Sequence, residues 1–207
     1  MAGKGLSKEK IVETAIGLIQ NNGYGSFSMR TLAEALDVKA ASLYKHFKNF
    51  EDLLIAVGLK IYEQFDALQE QAVTGAKTRQ EAVMGLAMAY RTFALEQPEL
   101  YKVIRVLPRM ECFMRPEIIN EWIKPMQHVM ALYDIDAESR MHWQRIYRAT
   151  ITGFLSGEGA GLFVWMPVSS VKSYRLAIMN IIAALESLER EQLGRARLLE
   201  RCNAEII

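Results

Sequence analysis

Cross-links are nearly absent from this sequence. Cysteine occurs twice in 207 residues, as Cys112 and Cys202, too sparse and too widely spaced for a disulfide framework or a zinc cluster. Two free thiols in a reducing cytoplasm is the plain reading. His128 and His142 do not form a pair at metal-ligand spacing with carboxylates or thiols nearby, so no metal or other cofactor is expected. No apolar run approaches the roughly 18–20 residues of a membrane span. The first residues, MAGKGLSKEKIVE, lack the apolar core of a signal peptide and carry charge where it would lie. A soluble cytoplasmic protein with no membrane partner is expected. Catalytic patterns are missing too, with no Ser-His-Asp order, no nucleophile elbow and no H-E-x-x-H. No catalytic residue is assigned, and the chain is not expected to be an enzyme.

What is present is ordinary for a globular chain, 51% apolar and 24% charged, which excludes a disordered composition. Helical periodicity recurs while strand signals are weak. Ser7 is placed to cap a first helix with an apolar face of Ile11, Ala15, Leu18 and Ile19, ending at Asn22-Gly23. Ser28 caps a second helix that ends near Leu36, and a third runs from Lys39 to Phe47. Asn49 with Asp52 opens a fourth, Glu51 to about Val73. Further helices are expected over 78–96, from Pro98 up to Pro108, and from Pro116 with a kink or break at Pro125. Two long ones follow, over about 138–163 and 171–194. The fold class is all-α, about nine helices. An N-terminal three-helix domain (1–50) precedes a larger C-terminal helical domain (51–207).

Charge is unevenly placed. Net charge is +1, yet residues 1–50 hold seven Lys/Arg against four Asp/Glu, and the remainder 18 against 20. Within LAEALDVKAASLYKHFKN, residues 32–49, the last eleven residues carry Lys39, Lys45, His46 and Lys48 and no carboxylate. Leu32, Ala33, Leu36, Val38, Leu43 and Phe47 supply apolar anchors on both sides of a very short turn at Asp37-Val38. That is a helix-turn-helix arrangement. Asp37 stands where glycine is the easiest choice for a left-handed conformation, although Asp tolerates it better than most residues. The second helix of such a pair enters the major groove with its N-terminal residues at the base edges, here Lys39, Ala40, Ala41 and Ser42. Tyr44, Lys45, His46 and Lys48 then contact phosphates. Arg30, in the first turn of the preceding helix, joins this DNA-facing set.

SMRTLAEALDVKAASLYKHFKNFEDLL resembles the DNA-binding motif of tetracycline-repressor-like (TetR family) transcriptional regulators, and IVETAIGLIQNNGYGSFS resembles that family's first helix and following link. The resemblance covers roughly residues 7–60 and is carried most specifically by the Leu-Tyr-x-His-Phe run. It implies phosphate contacts from Ser28, Lys39, Tyr44 and His46, and groove contacts from Ala40, Ala41, Ser42 and Lys45. One departure stands out. Phe50 occupies the position where the family usually has a phosphate-clamping lysine, a task Lys48 is placed to take over. YRTFALEQPELYKVI, residues 90–104, resembles the C-terminal domain of a family subgroup named for a Trp-His-Gly signature. Tyr147, Thr152 and Gly153 stand at the corresponding positions, so only the glycine is kept.

Ala149, Gly153, Gly157 and Gly161 recur every four residues. Each glycine inside a helix costs about 1 kcal/mol relative to alanine, and close helix approach is the simplest offset. A dimer seam with Ile178, Ile181 and Leu185 in a four-helix bundle is one reading, and packing within one chain is the other. A ligand cavity is expected from Met88, Arg91, Tyr101, Met110, Trp122, Met126, Trp143 and Tyr147, because methionine and aromatic side chains line adaptable apolar sites. These readings together describe a homodimeric regulator, a repressor by family resemblance. It binds a palindromic double-stranded DNA operator and is released by a small-molecule effector. A DNA-binding regulator answering to a protein partner, and a helical small-molecule-binding protein, are the rivals.

Overall fold

A computed structural model describes residues 6–107 and 116–204, and among these residues there are nine α-helices and no strand. They are α1 (Lys8–Asn22), α2 (Met29–Ala35), α3 (Ala40–Leu43), α4 (Phe50–Thr74), α5 (Arg79–Glu96), α6 (Pro98–Val106), α7 (Pro116–Ala131), α8 (Ala137–Gly159) and α9 (Ser170–Ala204). A single 3-10 turn, Tyr24–Ser26, links α1 to α2. Contacts gather the chain into two compact units, residues 1–68 with 92–122 and residues 69–91 with 123–207. Helices α4, α5 and α7 each contribute to both.

In the first unit α1 packs on α2 and on α6, and α2 on α3. Its helix starts as the sequence dictates. The Ser7 hydroxyl accepts from the Lys10 N–H at 3.2 Å, and Gly23, with φ of 85°, ends α1 by donating to the Ile19 carbonyl. Ile11, Ala15 and Ile19 are fully buried, as are Leu32 and Leu43. Towards α6 and the start of α7 the core becomes aromatic. Phe65 and Phe93 lie 4.9 Å apart, and Tyr62 stacks on Trp122 at 4.2 Å while donating to its carbonyl.

The second unit is organised around buried tyrosines. A tyrosine hydroxyl excluded from water must find an acceptor, and α5 supplies two. Tyr147 of α8 donates to the Val83 carbonyl and Tyr174 of α9 to the Ala87 carbonyl. Burial holds the Tyr147 phenol well above its ordinary pKa. Below these, α8 and α9 pack on each other, with Ile151 and Leu155 and with Ile178 and Leu185 buried. At one side Arg79 bonds Glu189 at 2.7 Å and lies over the Tyr133 ring at 4.5 Å.

Four elements differ from expectation, each for a local reason. Helix α8 stops at Gly159 because Gly161 takes φ of 73° in a Schellman cap, with Gly161 N–H to the Glu158 carbonyl and Leu162 N–H to the Gly157 carbonyl. Helix α7 runs on through Pro125, which removes one backbone donor without breaking the helix. Helix α9 continues past Gly194 to Ala204, since one glycine is only a modest penalty among helix formers. Helix α3 is a single turn, closed by three-residue bonds as far as His46.

Candidate DNA interface

The turn between α2 and α3 is fixed by its backbone. Asp37 is the only non-glycine residue at positive φ, 53°, among the described residues. It sits at the C′ position of a Schellman motif, with Asp37 N–H to the Glu34 carbonyl at 3.2 Å and Val38 N–H to the Ala33 carbonyl at 3.0 Å. Ala33, 4% exposed, keeps the turn tight against its neighbours. Replacing Asp37 with valine is expected to lower stability by about 1–2 kcal/mol in urea denaturation, the left-handed penalty of a β-branched residue, whereas glycine there costs nothing.

Beyond the turn, Lys39 is extended and serves as N-cap of α3. Leu43 and Phe47 point inwards, at 0% and 4% exposure. Their burial turns Lys39, Ala40, Ala41, Tyr44, Lys45 and Lys48 outwards, all exposed, with Ser42 and His46 half-buried. Tyr44 is 53% exposed, unusual for an aromatic side chain flanked by core positions. Lys8, not singled out in the sequence, joins the edge of this surface, its ammonium 5.5 Å from the Phe47 ring centroid.

The remaining expected contacts sit beside α3. Ser28 closes a capping box with Thr31, its hydroxyl accepting from the Thr31 N–H at 3.2 Å and its own N–H donating to Thr31 Oγ1 at 3.0 Å. Arg30 bonds Glu34 at 2.9 Å with both side chains largely in water. A pair so exposed is worth little, so Arg30 exchanges readily to a stronger anion. Phe50, the departure from the family pattern, packs against Phe27 at 5.5 Å between ring centroids, so the start of α4 carries no cation. Its capping follows the sequence, with the Asp52 N–H on Asn49 Oδ1 and Asp52 Oδ2 accepting from the Lys48 N–H.

The residues expected to line a ligand cavity come from both units. Tyr101 and Trp122 belong to the first unit, and Met88, Arg91, Met126, Trp143 and Tyr147 to the second; Met110 lies outside the described residues. Arg91 is engaged by Glu158 through two hydrogen bonds, at 2.7 and 3.2 Å. Burial pushes the Glu158 carboxyl up, but hydrogen bonds from Arg91 and Ser170 outweigh it and hold it below the ordinary range. Of the small-residue stripe, Ala149 and Gly153 are exposed on α8. Gly157 is buried, and a Cβ there would meet the Phe163 ring of the same chain at 2.8 Å. Gly161 lies beyond the helix in its cap. Ile178, Ile181 and Leu185 are buried within the second unit's own core, because they share a face with Tyr174. The large apolar residues exposed on these two helices are others, Met141 and Ile146 on α8 and Leu176, Met179 and Leu193 on α9, among the described residues.

Comparison with known proteins agrees with this geometry. Residues 11–57 match the family model described as bacterial regulatory proteins, tetR family, and residues 83–181 match a tetracyclin repressor-like C-terminal domain. An uncharacterized HTH-type transcriptional regulator of Mycobacterium tuberculosis is 33% identical over 160 residues, 76% of this chain and 72% of that protein. YobS of Bacillus subtilis, another HTH-type regulator, is 28% identical over 72% of this chain and 78% of its own. Among solved structures, TetR of Acinetobacter baumannii has a TM-score of 0.67 at 17% identity, covering 89% of this chain and 99% of that one. BioQ bound to its double-stranded DNA operator has a TM-score of 0.65 at 20% identity, covering 88% and 99%. These two likenesses establish a shared fold. No described helix is long and apolar enough to cross a membrane. The chain belongs to the tetR family of helix-turn-helix proteins and is a DNA-binding transcriptional regulator, not an enzyme.

Proposed function

We propose that this regulator acts as a homodimer, most simply a repressor, that holds a palindromic operator and leaves it when a small molecule binds. The observation that carries the reading is the outward face of α3. Three lysines and an exposed tyrosine surround three small residues, on a turn whose backbone conformation is fixed. Ala40, Ala41 and Ser42 allow close approach to base edges, and Lys39, Tyr44, Lys45, His46 and Lys48, with Ser28 and Arg30, surround them with phosphate contacts. Residues 1–50 thus hold the DNA contacts, and residues 51–207 bind the effector and the second copy. A related TetR has been solved with minocycline, which supports a ligand role for the methionine- and aromatic-rich C-terminal part. Helix α4 is one unbroken helix leading from the first part into the second, and ligand binding is expected to act through it.

The second copy docks on the outer faces of α8 and α9. Large side chains are exposed on α9, Leu176 and Met179, and small ones on α8, Ala149 and Gly153. Two-fold symmetry would let each set fill the other. Met179→Glu is expected to give a folded monomer in analytical ultracentrifugation, and an unchanged dimer would move the seam elsewhere.

Selection from randomised duplexes at two salt concentrations tests the whole reading. An enriched inverted repeat whose affinity falls steeply with salt is expected. On that operator Tyr44→Ala should weaken binding about tenfold on every sequence, the scale of one phosphate contact. Ser42→Ala should instead change preference at one base pair of each half-site, by about 1–3 kcal/mol. Wild-type affinity and preference in both variants would remove these contacts from the interface.

A further inference from the structure

We infer that Glu99, far from the DNA-contacting residues in sequence, is a positioning residue for DNA binding, because its carboxylate holds the link that sets the start of α2. The inference rests on the DNA-reading face proposed above. The link is short, and the Ser26 hydroxyl ties its end back to the Asn22 and Gly23 carbonyls at 2.8 and 2.9 Å, while the Tyr24 N–H has no partner within it. Gly23 leaves α1 at φ of 85° and ψ of 148°, and the Tyr24–Ser26 turn is closed by two long backbone bonds, 3.3 Å from Ser26 N–H to the Gly23 carbonyl and 3.2 Å from Phe27 N–H to the Tyr24 carbonyl. The Tyr24 N–H turns to Glu99 Oε2 at 2.8 Å. Four residues beyond Tyr24 stands Ser28, whose capping box orients α2 and, through the Asp37 turn, α3.

The approach of α6 to this link is specific. Pro98 and Glu99 form the first turn of α6, and the Gln20 side-chain amide donates to the Gln97 side-chain oxygen beside them at 3.1 Å. A Cβ on Gly23 would stand 3.4 Å from Glu99 Oε2, an ordinary contact, so it is the φ of 85° rather than the carboxylate that calls for glycine here. Hydrogen bonds from Lys102 and then from the Tyr24 N–H hold the Glu99 carboxyl below its ordinary range. The group is therefore charged at neutral pH, and its bond to Tyr24 loses its charge assistance only in acid, as pH falls through that lowered value. A charged acceptor on a backbone N–H is among the stronger hydrogen bonds.

Three full-length variants test the role on the duplex selected with wild-type protein, well below each variant's melting temperature. Glu99→Ala is expected to lose about tenfold in affinity, the scale of one hydrogen bond to a charged acceptor. Its Tyr24 amide should lose protection in hydrogen-exchange NMR. Glu99→Gln keeps an acceptor oxygen and should recover most of both readouts. Lys102→Ala removes only the exposed partner and should bind within about twofold of wild type. Wild-type affinity for Glu99→Ala, or a melting temperature that falls while affinity does not, would overturn the positioning role. Should Glu99→Ala not fold, Glu99→Gln decides: wild-type-like binding with Tyr24 still protected supports the role, and a weak binder with Tyr24 protected removes it. Failure of the wild-type protein to enrich any duplex would sink the underlying DNA-reading proposal instead, a result distinguishable from all of these.

Discussion

Arg91→Met is expected to destabilise the protein by about 3 kcal/mol at pH 7.5 in chemical denaturation, because it leaves a buried carboxylate without its cation. Arg91 and Glu158 are only 17% and 15% exposed, and Ser170 then remains as the hydrogen-bond partner of Glu158, at 2.7 Å. The pH dependence gives the sign. In the wild-type protein Glu158 is held below the ordinary carboxylate range, so the pair's contribution is full above that range and fades as pH falls through the lowered value. Without Arg91, burial acts unopposed by the cation and the folded-state pKa rises. The variant then loses stability as pH rises through that raised value. The gap between variant and wild type should therefore widen from pH 5 to pH 7.5. Arg91→Met combined with Glu158→Leu is expected to return close to wild type, since apolar replacement of a whole buried pair is often neutral. A single variant as stable as wild type at pH 7.5 would mean that water reaches Glu158 freely.

Gly58→Ala is expected to reverse the usual sign of a glycine-to-alanine change in a helix. At an open helical site the change stabilises by about 1 kcal/mol, and Gly17, whose Cβ position meets nothing within 4 Å, is the matching control. At Gly58 the new Cβ would stand 2.4 to 2.8 Å from three carbons of the Leu107 side chain. Leu107 caps the end of α6 and is 1% exposed, so its side chain has little room to yield. Overpacking of this kind costs about 1–3 kcal/mol. Urea denaturation of the two alanine variants should show Gly17→Ala above wild type and Gly58→Ala below it. Both rising together would show that α4 and α6 separate without cost.

The DNA-reading part was legible because its rules are local. Ser7, Gly23, Ser28 and Asn49 mark helix ends through their own side chains or backbone freedom, and all four do so in the structure. Asp37 was identified as the left-handed residue from the hydrophobic anchors around it, and its φ of 53° agrees. The C-terminal part was less legible because spacing alone does not distinguish two faces of one helix. Ile178 and Leu185 have the period of a seam, but the same period serves the core against α8, where they are buried. The glycine repeat is ambiguous for a related reason. Gly153 is exposed, Gly157 yields to Phe163 and Gly161 ends the helix, three separate tasks that produce one regular interval. Glu99 carried no signal at all, since a carboxylate in the first turn of a helix is ordinary and its partner lies 75 residues away.

The packing of α6 against α1 and the link bears on how such regulators can be recombined. The contacts join residues 1–68 to 92–122 as one compact body. Grafting residues 1–50 onto the C-terminal portion of another family member would transfer the proposed DNA-contacting side chains and leave behind the Glu99 and Gln97 groups that Tyr24 and Gln20 engage. With Glu99 positioning the link, as proposed, the first fifty residues are not a self-sufficient cassette. A working chimera must bring the start of α6 along or choose a recipient with equivalent groups there.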